Sequence, residues 1–282
     1  MPEGDTIYRA AGVLHNALRG RTVAAFASVL PNLTRVDYDS PLAGRTIEKI
    51  EARGKWMMIH FSGDLILLTH MLMSGSWHIY RVGEAWKRRS IHQRIVLATD
   101  KYVAVAFNVP IAEFHSASSL KRHPRLLKLG PSVLADDYDD ATILRNLQSQ
   151  PDGEVGAILL NQSVLAGIGN VFKSEVCFGC GVNPFRRMQT MSISELARLV
   201  ATARKFMLAN ISPAATDKIV THSTLRRTTG RAGPEERLWV YGRRGRPCHR
   251  CGTTIESRKQ NPDARTTFWC PRCQPINGAG CG

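Results

Sequence analysis

The stretch that decides the fold of the C-terminal part runs from Cys248 to Cys273 and reads CHRCGTTIESRKQNPDARTTFWCPRC. It holds two Cys-x2-Cys pairs separated by 18 residues, a spacing typical of a four-thiolate zinc site. No histidine or carboxylate stands in register with the cysteines. We therefore expect a closed, structural site with one Zn²⁺ bound by Cys248, Cys251, Cys270 and Cys273. Disulfide bonds are the alternative, and a reducing compartment disfavours them.

The residues between and before the two cysteine pairs are basic. Ser257-Arg258-Lys259 and Arg265–Trp269 predict a hairpin with a basic tip and an aromatic base, whose shape the metal would fix. Six arginines surround a glycine-rich loop just upstream: Arg226, Arg227, Arg231, Arg243, Arg244 and Arg246. Such a concentration of positive charge is typical of a surface that contacts a nucleic-acid backbone.

The composition of the whole chain agrees with that interpretation. A length of 282 residues allows two domains, and 43% hydrophobic with 22% charged residues describes an ordinary globular protein. The formal net charge of +15 favours a polyanionic partner, with nucleic acid ahead of a membrane surface. No apolar run reaches the roughly 18 residues that span a bilayer, and the first residues lack a signal-peptide pattern. Seven cysteines with two such pairs indicate metal and free thiols, so we expect a cytoplasmic protein.

A glycine-rich segment, NQSVLAGIGN from Asn161 to Asn170, lies between two predicted helices. Gly167 and Gly169 would expose backbone N–H groups at the start of the second helix, a geometry that holds a phosphate oxygen without reading bases. Structural packing of a helix–turn–helix is an equally good interpretation. The nearby Cys177 and Cys180 lack a partner pair and are expected to be buried free thiols. The helices predicted in this half are Thr142–Gln150, Glu154–Leu160, Asn170–Phe178 and Ser194–Leu208.

The N-terminal half consists of short runs with a period of two. The predicted strands are Thr46–Arg53, Trp56–Phe61, Leu65–His70, Trp77–Tyr80, Arg94–Thr99 and Tyr102–Phe107. Asp100-Lys101 fits a two-residue hairpin connection between the last two. Short strands with close turns predict an antiparallel sandwich, so the chain as a whole belongs to the α+β class.

The chain begins Met1-Pro2-Glu3. If Met1 is removed, Pro2 carries a secondary amine that can attack an electrophilic sugar carbon and form an iminium ion. Glu3 is a natural proton donor or acceptor beside it. Asp5 or Thr6 would cap the following helix, whose apolar residues recur at helical spacing: Ile7, Ala11, Leu14 and Leu18.

Two turns in this half carry unusual residues. Gly54-Lys55 lies between two strands and is followed by apolar residues, a setting that can make a lysine a proton donor near neutral pH. The segment from His70 to Gly75, HMLMSG, has an apolar tip that can wedge between stacked bases. A solvated lysine and ordinary core packing are the alternatives, and residue type alone favours both alternatives.

Five motifs now stand in one order: PEGD at the start, Gly54-Lys55, NQSVLAGIGN, VYGRRGRPC, and a four-cysteine ribbon that ends RTTFWCPRCQ. In this the chain resembles the formamidopyrimidine-DNA glycosylase/endonuclease VIII family of base-excision repair enzymes, from Pro2 to about Gln274. The resemblance implies a β-sandwich domain, a helix–two-turn–helix domain with a zinc finger, and double-stranded DNA with damaged bases or abasic sites as the partner. It also implies a bifunctional glycosylase and lyase that acts as a monomer.

The same resemblance assigns roles to single residues. Pro2 is similar to the nucleophile that attacks C1′ of the damaged nucleotide, and Glu3 to the acid that protonates the sugar ring oxygen. Lys55 resembles a second proton donor that also contacts phosphate. Asn170 matches the asparagine that holds phosphates beside the lesion. Arg265 matches the finger arginine that grips the same backbone and assists elimination.

Three further residues are assigned to DNA contact on the same basis. Met73 falls where the family has a side chain that fills the void left by the flipped base. His70 lies at the base of the same segment, and Lys128, just before Leu129-Gly130-Pro131, falls at a basic DNA contact.

The chain departs from the purine-specific branch, which starts PELP and has an Arg-x-Phe loop where this chain reads FNVPI from Phe107 to Ile111. Both differences resemble the endonuclease VIII branch, which implies oxidised pyrimidines as substrates. Leu72-Met73-Ser74 stands where that branch often has Gln-Leu-Tyr, and Thr6 where many members have glutamate. Two alternatives therefore stay open: an 8-oxoguanine-type glycosylase, and a zinc-ribbon DNA-binding protein without activity.

Breaks in the pattern divide the chain into domains. We expect an N-terminal catalytic domain over 1–128, a linker over 129–135, and a helix–two-turn–helix domain over 136–245. The zinc finger would occupy 246–275 and a tail 276–282.

Overall fold

The structure, a computed structural model, describes residues 2–211, 226–229, 233 and 235–276. Of these, residues 2–127 belong to a first compact unit, and residues 128–210 with those from 226 onward belong to a second. Within the described residues, no helix is both long enough and apolar enough to cross a bilayer.

The described residues form eight α-helices, two short 3-10 helices (Ser90–His92 and Met188–Thr190) and ten strands. The helices are α1 (Gly4–Leu18), α2 (Pro31–Asp39), α3 (Ala117–Leu120), α4 (Pro124–Leu127), α5 (Asp140–Gln148), α6 (Val155–Leu160), α7 (Asn170–Gly179) and α8 (Ile193–Ile211). The strands are β1 (Ala25–Ser28), β2 (Ile47–Arg53), β3 (Trp56–Phe61), β4 (Leu65–His70), β5 (Ser76–Arg81), β6 (Gln93–Ala98), β7 (Tyr102–Phe107), β8 (Ile111–His115), β9 (Glu256–Gln260) and β10 (Arg265–Trp269).

The first unit is an antiparallel sandwich, as the sequence predicts. Its two four-stranded sheets have the strand orders β1-β6-β7-β5 and β2-β3-β4-β8. Buried side chains of both sheets, such as Ile59 and Leu67 of one and Trp77 and Leu97 of the other, join a single apolar core. Alternating apolar residues therefore cover the inner face of each sheet, which is what drives two sheets together.

Helix α1 packs its apolar stripe onto this core. Its expected core residues Ile7, Ala11, Leu14 and Leu18 are all buried. The expected N-cap at Asp5 or Thr6 is wrong. The amides of Thr6 and Ile7 already donate to the carbonyl oxygen of Glu3, at 3.0 and 3.2 Å, so the N-cap is Glu3, two or three residues earlier than expected.

Strands β2 to β7 lie within two residues of the predicted ranges, and the hairpin between β6 and β7 turns through Asp100-Lys101. Two strands and three helices were not predicted: β1, β8, α2, α3 and α4. Both missing strands lie at sheet edges, where one side of the strand is half-exposed and the period-two pattern is weak.

The second unit combines helices α5 to α8 with the hairpin of β9 and β10. All four predicted helices are present, with ends shifted by up to three residues. The segment 129–135, expected as a linker, packs within this unit. The Gly130 amide donates to the Gln162 carbonyl at 2.9 Å, and a Cβ on Gly130 would lie 2.4 Å from the Ser163 carbonyl oxygen, so only glycine fits this approach.

Candidate functional site

The four cysteines predicted to bind zinc come together in the second unit. Their sulfur atoms all lie within 4.8 Å of one another, with Cys248 and Cys273 at 3.9 Å and Cys251 and Cys270 at 3.5 Å. Disulfide bonding is excluded because bonded sulfurs lie about 2.05 Å apart. Sulfurs bound to one tetrahedral zinc ion at about 2.3 Å would lie about 3.8 Å apart. The cluster therefore fits one zinc ion, as the sequence predicts.

Backbone and side-chain hydrogen bonds hold this cluster in shape. The amides of Arg250 and Cys273 point at the sulfurs of Cys248 and Cys270, at 3.4 and 3.5 Å, the knuckle geometry expected from the Cys-x2-Cys spacing. Gln274 is fully buried and accepts from the Cys270 amide at 2.9 Å. The side-chain amide of Gln274 also donates to the Val182 carbonyl at 2.8 Å, which fastens the cluster to the turn after α7.

The arginines upstream of the finger do not form one exposed group. Arg243 is buried, and its guanidinium donates to the carbonyls of Trp239 and Pro247 at 2.6 and 2.8 Å, so its expected role in the surface charge is wrong. A long planar donor suits this position because it satisfies two carbonyls of the loop at once. Arg246 pairs with Glu235, and Arg231 lies outside the described residues.

Asn170 and the finger strand β10 meet in the second unit. Asn170 begins α7, and its side-chain amide donates to the Thr266 carbonyl at 2.9 Å. Arg265 directly precedes Thr266 and is exposed at the first position of β10. The hydrogen bond therefore links Asn170 to the residue next to Arg265. The family resemblance assigns both Asn170 and Arg265 to contacts with the DNA backbone.

The turn between α6 and α7 is organised by Gln162, a residue without a predicted role. Its side-chain amide donates to the carbonyls of Leu160 and Ile168, at 2.8 and 3.0 Å, and its oxygen accepts from the Gly167 amide at 3.0 Å. The expectation that the Gly167 N–H is open to a phosphate is therefore wrong, because this N–H has a partner inside the turn. Lys128 is exposed two residues before Gly130, which itself bonds to Gln162.

A buried polar chain joins α7, the finger and α6. Lys173 is fully buried and donates to the Thr267 hydroxyl at 2.5 Å, and that hydroxyl donates to the Gln260 side-chain oxygen at 2.7 Å. The amide of Gln260 then donates to the Glu154 carboxylate at 2.8 Å. Each hydrogen bond gives the next polar group in the chain a partner, and this allows the side chain of Lys173 to be buried.

Glu175, also on α7, is fully buried and shapes the loop before the finger. One carboxylate oxygen accepts from the amides of Val240 and Tyr241, at 2.9 and 2.8 Å. The other oxygen accepts from the Trp239 amide at 2.8 Å and from the Thr228 hydroxyl. Burial raises the pKa of Glu175, and these four donors oppose the shift. Because each oxygen already accepts two hydrogen bonds, the ionised carboxylate is the form that fits.

In the first unit, Pro2 and Glu3 stand directly before α1. Pro2 is half-buried, whereas Glu3 is fully buried as the N-cap residue. The Glu3 carbonyl accepts from the first amides of the helix. The start of the chain is therefore held against the core by the first turn of α1.

Lys55 and His70 are brought together at the ends of β3 and β4. Gly54 takes a left-handed conformation with φ +59° in the turn that carries half-buried Lys55. Trp56 and His70 are cross-strand partners, and their rings meet edge to face at 4.7 Å. Burial and the positive charges of Lys55 and Arg125 lower the pKa of His70 to about 4, so its ring is neutral at physiological pH.

The apolar residues that follow His70 differ in how exposed they are. Met71 is buried in the core, while Leu72 and Met73 are 46% and 58% exposed. His70 Nδ1 accepts from the Leu72 amide at 3.1 Å, which fixes the start of the turn. Core packing is thus the correct interpretation for Met71, and Met73 is exposed as a wedge residue must be.

Sequence reasoning missed the groups that support these sites, namely Gln162, Lys173, Glu175 and Arg125. A signal was present for two of them, since Lys173 and Glu175 interrupt an otherwise apolar helix. The other expectation for this helix is confirmed: Cys177 and Cys180 are buried free thiols, and burial raises the pKa of Cys177 to about 12.

Comparison with known families covers most of the chain. Residues 1–110 match the formamidopyrimidine-DNA glycosylase N-terminal domain, residues 129–221 the H2TH domain of the same glycosylase, and residues 245–276 the zinc finger found in FPG and IleRS. Among solved structures, the Lactococcus lactis Fpg in complex with DNA containing an abasic site superposes with a TM-score of 0.78. That structure is 21% identical and covers 97% of this chain and 99% of its own, a likeness that concerns the fold.

Curated relatives extend the similarity over nearly full lengths. The probable endonuclease 8 2 of Streptomyces coelicolor is 38% identical over 277 residues, which is 97% of this chain and 94% of that protein. The DNA-(apurinic or apyrimidinic site) lyase Nei2 of Mycolicibacterium smegmatis is 34% identical, covering 97% and 99%. Endonuclease 8 of Escherichia coli is 29% identical, covering 97% and 100%. The chain belongs to the formamidopyrimidine-DNA glycosylase and endonuclease 8 family.

Proposed function

We propose that this protein is a bifunctional DNA glycosylase and AP lyase of base excision repair, with oxidised pyrimidines as its substrates. The observation that carries the proposal is the joint presence of Pro2-Glu3 at the start of α1 and a family match along almost the whole chain. The relatives at 38% and 34% identity are named as an endonuclease 8 and an AP-site lyase, which supports the same activity here.

The reaction would begin with base flipping, which costs least for a pair that damage has already weakened. The Pro2 nitrogen, freed by removal of Met1, would attack C1′ of the extruded nucleotide. The C1′–base bond breaks and the base leaves with a proton, for which Lys55 is the proposed second donor. Glu3 protonates the sugar ring oxygen, and the C1′–O4′ bond then breaks, which opens the ring and leaves an iminium ion between Pro2 and C1′. The buried environment of Glu3 supports this role, since a carboxyl group shielded from water interacts strongly with a charge that develops beside it.

The iminium ion that joins Pro2 to C1′ would then acidify the C2′ proton. Loss of that proton expels the 3′ phosphate, and a second elimination expels the 5′ phosphate, so the strand is cut on both sides of the sugar. Arg265 would assist these eliminations by neutralising the departing phosphate, and its exposure at the start of β10 suits that contact.

DNA with damaged bases or abasic sites is the proposed partner, and the net charge of +15 supports it. Asn170 and Lys128 would contact phosphates, Met73 would fill the vacated stack, and neutral His70 would contribute a hydrogen bond. We also propose domain boundaries at 128, 135, 245 and 275, a monomeric state, and action in the cytoplasm.

Trapping with borohydride tests the covalent step. The full chain is incubated with DNA that carries an abasic site, and reduction of the iminium ion should yield a protein–DNA adduct. Pro2→Gly and a protein blocked at its N-terminus should lose that adduct and keep DNA binding. A wild-type protein that binds this DNA without forming any adduct would instead be the zinc-ribbon binder without activity.

Glu3→Gln should separate base excision from DNA binding. It should lose at least about 100-fold in base excision, because the proton donor is gone, while DNA affinity stays within twofold. Turnover on thymine glycol, dihydrouracil and 8-oxoguanine then assigns the branch, and faster removal of 8-oxoguanine than of both pyrimidines would overturn the proposed substrate class.

A further inference from the structure

A second cluster of possible metal ligands lies in the first unit, among Glu113, His115 and His123. Glu113 Oε2 is 3.2 Å from His115 Nε2 and 3.5 Å from His123 Nε2. One ligand atom from each of the three residues lies within 4.8 Å of the others. None of the three residues has a part in the proposed reaction.

The spacing of these atoms is that of ligands around a tetrahedral ion. Nitrogen and oxygen ligands about 2.05 Å from a zinc ion lie about 3.4 Å from each other. The observed 3.2 and 3.5 Å bracket that value. A charge-assisted hydrogen bond, by contrast, is shortest and strongest near 2.8 Å, so both contacts are long for a purely hydrogen-bonded arrangement.

The fold holds two of the three ligands on one strand. Glu113 and His115 are two residues apart on β8 and therefore point to the same side of the sheet. His115 Nδ1 lies 3.0 Å from the Ser119 hydroxyl, which can accept its proton and leave Nε2 free to bind metal. A partner on the other ring nitrogen is the usual arrangement for a metal-bound histidine.

His123 comes from the turn before α4 and is 8% exposed. Its Nδ1 lies 3.3 Å from the Leu126 amide, and binding through Nε2 would require a proton on Nδ1. That amide also donates to the His123 carbonyl at 3.0 Å, so it keeps a partner when the proton moves. The edge of the His123 ring meets Trp56 at 5.4 Å, which limits its rotation.

Exposure leaves one side of the cluster open. The two histidine side chains are 14% and 8% exposed, whereas that of Glu113 is 44% exposed. Two imidazoles and one carboxylate with an open position form the donor set of zinc sites that carry a water molecule as the fourth ligand. We propose that Glu113, His115 and His123 bind a second divalent transition-metal ion, preferably zinc, separate from the four-cysteine site.

Metal content of the full-length protein tests this proposal without reference to DNA. After equilibration with excess Zn²⁺ and removal of the unbound ion, the wild-type protein should hold two equivalents. Glu113→Gln and His115→Gln should each hold one. The matched control is His60→Gln, because His60 Nε2 pairs with Glu51 at 2.9 Å without a second histidine, and it should keep two. One equivalent in the wild type, or two in both variants, overturns the proposal.

Histidine nitrogen resonances give a readout that needs no substitution. Adding Zn²⁺ to the protein with its four-cysteine site already filled should shift the Nε2 signals of His115 and His123 and leave those of His60 unchanged. Unshifted His115 and His123 signals at saturating Zn²⁺ would mean that the three side chains form only a hydrogen-bonded array.

Discussion

The two units hold their candidate site residues by different means. In the first unit, Pro2-Glu3 and Lys55 stand at the ends of elements that a single apolar core keeps in place. In the second, a hydrogen bond ties Asn170 to strand β10, which begins at Arg265, and the finger packs on an apolar cluster that includes three of the zinc-ligand cysteines. Both units bury many apolar side chains, but in the second unit hydrogen bonds and the cysteine cluster also tie α7 to the finger.

Apolar packing and polar networks also differ in how they respond to a single substitution. Apolar packing spreads its stabilisation over many side chains, so a single loss is shared among neighbours. A polar network fails more abruptly, because removing one partner leaves another buried group without its hydrogen bond. We therefore expect single substitutions in the second unit to weaken DNA binding without harming the groups proposed to do chemistry.

Loss of zinc should have the largest effect. Cys270→Ser removes one of four ligands, and zinc binding contributes about 10–16 kcal/mol to the folding of small zinc fingers. Hydrogen exchange should then show unprotected amides in β9 and β10 and unchanged protection in β3 and β4, with DNA affinity lower by about tenfold or more. Cys180→Ser is the control, since this buried thiol lies outside the metal cluster and its loss should leave the zinc content intact.

An intermediate effect is expected for Glu175→Gln. The substitution keeps the shape of the side chain. It replaces a carboxylate oxygen, which accepts two hydrogen bonds in the wild type, by an NH2 group that faces the same donors. The free energy of unfolding should fall by about 2–4 kcal/mol in denaturant titrations. Glu235→Gln, which removes only an exposed pair with Arg246, should cost less than about 1 kcal/mol, and equal losses in the two variants would refute the distinction.

The smallest effect concerns pH and the first unit. Because His70 has a pKa of about 4 in the folded chain and about 6.5 when unfolded, unfolding takes up a proton between these values. The contribution of His70 to stability is therefore complete above about pH 6.5 and is lost as the pH falls toward 4. His70→Gln should reduce the pH dependence by about 2 kcal/mol between pH 7 and 5. The exposed His92→Gln controls for removal of a ring, and an unaltered slope in His70→Gln would contradict the assignment.

The sequence predicts the two units unequally well. Hydrophobic alternation located strands β2 to β7, and cysteine spacing located the zinc site, because each pattern depends on only one physical requirement. Edge strands β1 and β8 escaped prediction because one side of each is half-exposed. The partners of Lys173 and Glu175 could not be predicted either, since they come from residues 53 to 94 positions away.

The hydrogen bond between Asn170 and Thr266 has a consequence for exchanging parts among related proteins. It fixes the spacing between the start of α7 and Arg265 of the finger. A finger transplanted from a relative would need to present a carbonyl at the same height on its second strand. Without that carbonyl the hybrid could still bind its metal, but Asn170 and Arg265, the two residues proposed to contact the DNA backbone, would no longer be held at a fixed spacing.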